Sequence, residues 1–101
     1  MTNAKEITGF VNLLTIAQKA IDAHDAETRR KMAREALDDA YVCWKQNNGI
    51  DRVERDTMDW TRMMGATAVA YDVLEDTKRD ERNARRRLST AVLRYQEGGA
   101  A

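Results

Sequence analysis

Proline is absent from all 101 residues, and glycine is rare until the C-terminus. A chain so poor in helix breakers, and rich in Ala, Arg, Asp, Leu and Met, has little to stop a helix once it is nucleated. The expected fold class is all-α, a small helical bundle of three to four helices with at least roughly 70% helix. Residues 1–97 are expected to form a single helical domain, followed by a disordered C-terminal tail at 98–101. A single core in a chain of this length leaves modest stability, so helical dimerisation is expected as well.

Asn3 and Glu6 make an imperfect capping box. Ile7, Phe10, Leu14, Ala17 and Ile21 then recur at spacings of three and four, which predicts a first helix over 4–22 with that stripe buried. Val11, Leu13, Ile16 and Ala20 widen the apolar arc, while Thr8, Asn12, Thr15, Gln18, Lys19 and Asp22 gather opposite. So wide an arc calls for more than one neighbour. Asp25 is suited to cap a second helix whose stripe is Ala33, Leu37, Ala40 and Trp44. That helix should stop at "QNNGI", where Gly49 can take a left-handed conformation and Ile50 can fold back.

Asp51 and Glu54 form another capping pattern, so a third helix is expected from about residue 52, with Val53, Thr57, Trp60, Met64, Thr67, Tyr71 and Leu74 on its stripe. Gly65 lies within it, beside the small side chains of "GATAVA", which predicts a close helix crossing there. The segment "EDTKRDERNARRRL" (75–88) contains no breaker, and Glu75 with Arg79 and Glu81 with Arg85 are ordered to support a helix. Two arrangements follow. Either a turn near Asp76–Asp80 lets Thr77 cap a fourth helix, or one long C-terminal helix runs from 52 to 96, about 67 Å at 1.5 Å per residue. Length favours the turn in one small domain, and the long helix requires a dimer. Ala84, Leu88, Ala91, Val92 and Tyr95 close the pattern.

Charge and ligand chemistry narrow the function. Seventeen basic and seventeen acidic side chains cancel, which argues against a polybasic binder of nucleic acid or anionic membrane. One cysteine, Cys43, and one histidine, His24, supply neither a disulfide, a thiolate or histidine metal site, nor a hydrolase triad; a buried Cys and a loop His are expected. No cofactor is implied. A reducing, cytoplasmic setting is expected, since no apolar run reaches membrane-spanning length and no signal-peptide pattern opens the chain.

Acidic residues gather at Glu35, Asp38 and Asp39, and again at Asp72, Glu75 and Asp76. Carboxylates three or four apart share a helix face, and two such faces can hold Mg²⁺. This pairing distantly resembles the all-α nucleotide pyrophosphatases of the MazG type, whose motif pairs an EExxE helix with an ExxD helix. "REALDDA" and "DVLEDT" match no fixed part of that motif, so no family residue is carried over. Solvated surface is the expected role.

The basic cluster is Lys78, Arg79, Arg82, Arg85, Arg86 and Arg87, with Arg94 beyond. Arg79, Arg82 and Arg86 fall on one helix face, suited to carboxylate or phosphate. No aromatic residues interleave for base stacking, and a further basic run, "RRK", stands at 29–31. The aromatic residues lie mostly on apolar stripes and are read as core. Met58 and Met63 flank the stripe around Trp60 and are candidate partner contacts with the three arginines.

A short, charge-dense helical chain without an active site resembles in general character the interaction proteins that phages and other mobile elements encode to inhibit host machinery, including anti-CRISPR and other anti-defence proteins. The resemblance implies a non-enzymatic protein-interaction module whose partner is a host protein or complex. The alternatives are a nucleic-acid-binding or assembly protein using 78–87 and a metal-dependent nucleotide pyrophosphatase.

Overall fold

The computed structural model describes residues 3–100. It contains three α-helices, α1 (Ala4–Asn47), α2 (Met58–Ala66) and α3 (Ala68–Ala100), and no strand among the described residues. Helix makes up 88% of the described residues, in keeping with the expected fraction. The chain divides into two compact units, Met1–Thr28 with Arg79–Ala101 and, separately, Arg29–Lys78.

The break expected at residues 22–25 is not there. α1 runs through Asp22, His24 and Asp25 without interruption, so His24 lies within a helix rather than a loop. A capping residue ends nothing unless the backbone turns, and no Gly or Pro stands near it to make the turn. Ala23 and Ala26 are instead both buried in the first unit, where they join Ala84 in a core cluster against which Leu88 packs.

α1 starts as expected, with Asn3 Oδ1 accepting from the Glu6 amide at 2.8 Å. It also stops as expected. Gly49 has φ +65°, its N–H donates to Gln46 O, and the Ile50 N–H reaches back to Lys45 O at 2.9 Å, the paired bonds of a Schellman stop.

The next helix begins later than the Asp51 pattern predicts. Thr57 is the N-cap of α2: its Oγ1 accepts from Trp60 N at 3.2 Å and donates to Glu54 O at 2.7 Å. Asp56, at φ +63°, turns the chain into this cap. Asp tolerates that conformation better than most residues because its short side chain bonds locally.

No turn occurs at Asp76–Asp80. Thr77 lies inside α3 and its hydroxyl donates to Leu74 O, so it caps nothing. The irregularity lies at Thr67, between α2 and α3, with φ −106° and ψ 12°. There the buried Thr67 hydroxyl donates to Met63 O at 2.7 Å, a back-bond that bends helices, yet the Thr67 N–H still reaches Met63 O and the Tyr71 N–H reaches Thr67 O. The long-helix arrangement is therefore nearer to the fold, beginning at 58 rather than 52. α3 continues through Gly98 to Ala100, and Ala101 of the expected tail lies outside the described residues.

The second unit buries Ala33, Leu37 and Leu74 together, with Tyr41 and Ala70 packed against them. In both units the surface-losing positions follow a heptad rhythm: 9, 12, 16, 19, 23 and 26 on α1 in one, and 30, 33, 37, 40 and 44 in the other. On α3 the rhythm is 70, 74 and 77 in the second unit and 81, 84, 88, 91 and 95 in the first. Spacing of 3.5 residues is that of helices packed knobs into holes.

Two expectations about small and apolar residues are overturned. A Cβ added at Gly65 would meet nothing within 4 Å, so no helix crosses closely there. On the first turns of α1 the stripe Ile7, Phe10, Leu14, Ala17 and Ile21 is exposed, while the supposedly outer Asn12, Lys19 and Asp22 are half-buried. Further along that inner line the small Ala23 and Ala26 are buried with Ala84, a close packing of backbones that a line of Phe and Leu would hold apart.

Candidate interaction faces

In the first unit α1 and α3 run antiparallel, and a groove of about 440 Å³ opens along one side. Its walls are Asn12, Thr15 and Lys19 from α1 and Arg86, Arg87, Thr90, Ala91 and Arg94 from α3. Four cations line it and no carboxylate does. The Thr90 hydroxyl and the Asn12 amide add polar groups to cations that suit carboxylate or phosphate oxygens, while the Thr15 hydroxyl donates to Val11 O at 3.1 Å.

α3 supplies three of these cations because Arg87 and Arg94 are one heptad apart and Arg86 adjoins them. Lys19 comes from the inner line of α1, where it is half-buried and lines the groove. Asn83 Oδ1 accepts from Arg86 Nη2 at 2.8 Å and so steadies that guanidinium.

Of the three arginines expected to act together, only Arg86 lines the groove. Arg79 and Arg82 share its outward face of α3 and are exposed. Arg85 is drawn aside by Glu81, with Arg85 Nη2 at 3.5 Å from Glu81 Oε2, as its i to i+4 order predicts. Glu75 meets Lys78 at 3.2 Å, three residues along. Lys19, Thr15 and Asn12 were not legible as site residues. The polar residues at 12 and 19 within an apolar helix are a visible signal, but periodicity assigns them to the outer face.

In the second unit Met58 is 72% exposed and Met63 only 7%, so the structure puts Met58 at the surface and Met63 in the core. Trp60 and Trp44 are half-buried. Cys43, expected to be buried, is exposed on α1. Burial, helped by nearby Tyr71, pushes the Tyr41 phenol above its ordinary pKa of 10.0; Arg34 opposes this and Asp38 adds to it.

Glu35, Asp38, Asp39, Asp72, Glu75 and Asp76 are all exposed, and no group of three or more His, Cys, Asp or Glu side chains is placed to hold a metal among the described residues. No helix among them is long and apolar enough to cross a membrane. No protein-family model matches the chain, and neither a curated protein nor a solved structure matches it.

Proposed function

We propose that the chain is a non-enzymatic interaction module whose groove between Lys19 and Arg86, Arg87 and Arg94 docks an acidic segment of a partner protein. The observation that carries this reading is the groove's composition, four cations with no lining carboxylate. A protein partner fits better than nucleic acid. The chain as a whole is neutral, and the groove contains no aromatic side chain on which a base would stack. Arg79 and Arg82 extend the basic face beyond the groove, and Met58 offers an adaptable apolar contact in the other unit. The wide apolar arc of α1 supports self-association as a further part of the same reading. The narrower role, inhibition of a host defence complex of the kind that phages target, rests on size and charge density.

The test is affinity capture from a host lysate, comparing the wild type with a variant carrying Arg79→Glu, Arg82→Glu and Arg86→Glu and with one carrying Arg87→Glu and Arg94→Glu. A stoichiometric protein partner is expected with the wild type. Each variant should then associate more slowly by about tenfold or more and show a weaker salt dependence, with helical content unchanged. Tight wild-type binding to random duplex DNA, lost on reversal, would replace the protein reading by the nucleic-acid one.

A further inference from the structure

Between Ile7 and Ile21, α1 carries two heptad lines rather than one. The inner line, Gly9, Asn12, Ile16 and Lys19, faces α3. The outer line, Ile7, Phe10, Leu14, Ala17 and Ile21, is offset by two residues, about 200° around a helix of 3.6 residues per turn, and so lies on the opposite side. Ile7, Phe10, Val11, Leu13, Leu14 and Ile21 are each 47–63% exposed.

The outer face is also without charge. From Ile7 to Ile21 the sole charged residue is Lys19, which lies on the inner line, in a chain of which 34% is charged. The six side chains expose on the order of 600 Å² together, at the upper end of the largest patch on a typical monomer and approaching the ~800 Å² per partner of a standard interface.

We propose that this face is covered by a second copy of the chain, packed antiparallel about a two-fold axis at Leu14. This rests on the self-association named above and gives it a surface and a register. The ends of the outer line are symmetric about its middle: Ile7 and Ile21 stand seven residues either side of Leu14, while Phe10, four before it, and Ala17, three after it, differ in size. Antiparallel pairing sets Ile7 against Ile21, the large Phe10 beside the small Ala17 and Gln18, and Leu14 against itself. Parallel pairing sets Phe10 on Phe10 and Ala17 on Ala17, overfilling one layer and emptying the other. A lipid surface is the poorer occupant. Lys5 and Lys19 are matched by Glu6 and Asp22, without the basic excess by which amphipathic helices hold anionic membranes.

The test uses the full chain with Cys43→Ser as parent, and Leu14→Cys, Ile7→Cys and Ile21→Cys added singly. Sedimentation equilibrium should find the parent dimeric at micromolar concentration. On mild oxidation Leu14→Cys should link to itself. Ile7→Cys should link to Ile21→Cys when the two are mixed but not to itself, because two copies of residue 7 are about 20 Å apart in this pairing. Leu14→Glu should weaken the dimer at least roughly a hundredfold with helical content unchanged, since a charge would be buried against its own copy. Self-linking of Ile7→Cys would overturn the register while leaving self-association standing. A monomeric parent would overturn both, and vesicle binding by that monomer, abolished by Phe10→Glu, would assign the face to lipid. The partner-capture result is independent of all of these outcomes.

Discussion

Leu37 on α1 and Leu74 on α3 share one core cluster and are the largest fully buried side chains among the described residues, 2% and 1% exposed. Their neighbours, Ala33 and Ala70, are small. With Tyr41 packed beside them, these two leucines are the main apolar side chains of that cluster. Leu37→Ala and Leu74→Ala should each cost about 3 kcal/mol, a large share of the total stability of a small protein. Urea unfolding checks this, and the double variant should cost less than the two single ones combined because they share a cavity.

Gly65 costs α2 helical stability without any compensating contact. Gly65→Ala should therefore stabilise by about 0.5–1 kcal/mol, since open space surrounds the new methyl group and the glycine has an ordinary φ. Thermal unfolding should move up by a few degrees. A decrease would show that the methyl group meets a neighbour after all.

Gly49 should respond in the opposite direction, although it too has open space around it. At φ +65° a Cβ is set too close to the backbone, so Gly49→Ala should destabilise by about 1 kcal/mol, with Gly49→Asn milder. Equal effects at positions 49 and 65 would remove conformation as the explanation.

Tyr41 should give the protein an alkaline limit. Its folded pKa is raised above 10.0, chiefly by burial, so the folded state holds the phenolic proton more tightly than the unfolded state does. The associated stability is fully present below pH 10 and is lost as pH rises through the folded value. Absorbance titration at the tyrosinate band should resolve one late phenol, and Tyr41→Phe should flatten the stability profile above pH 10.

The helical class, the Asn3 cap, the Gly49 stop and the stripes through Leu37 and Leu88 were legible because each depends on residues close in sequence. Asp25 misled because its capping value is conditional on a turn that only tertiary contacts decide. Thr57 prevailed over Asp51 because the left-handed Asp56 aims the chain at it, and this conformation has no sequence mark of its own. The inversion of α1 comes from two lines on one helix: periodicity favours the more apolar one, whereas packing against α3 buries the line that runs on into Ala23 and Ala26. The groove was only half visible, since the nearness of Lys19 to Arg87 is a matter of register between helices far apart in sequence.

The two cores also differ in the length of chain that must close to form them. Leu37 and Leu74 are 37 positions apart, whereas Ala23 and Ala84 are 61 apart. The longer closure is less favourable by only about 0.4 kcal/mol, but its reward is smaller too, a cluster of alanines in place of a leucine pair. Assembly should therefore begin near the Gly49 stop and close outward toward the chain ends, with loss of order running back in the reverse sense. Amide protons around Leu37 would then exchange with solvent last, and the segment that bears Leu14 and the basic groove would breathe many times before the protein unfolds once.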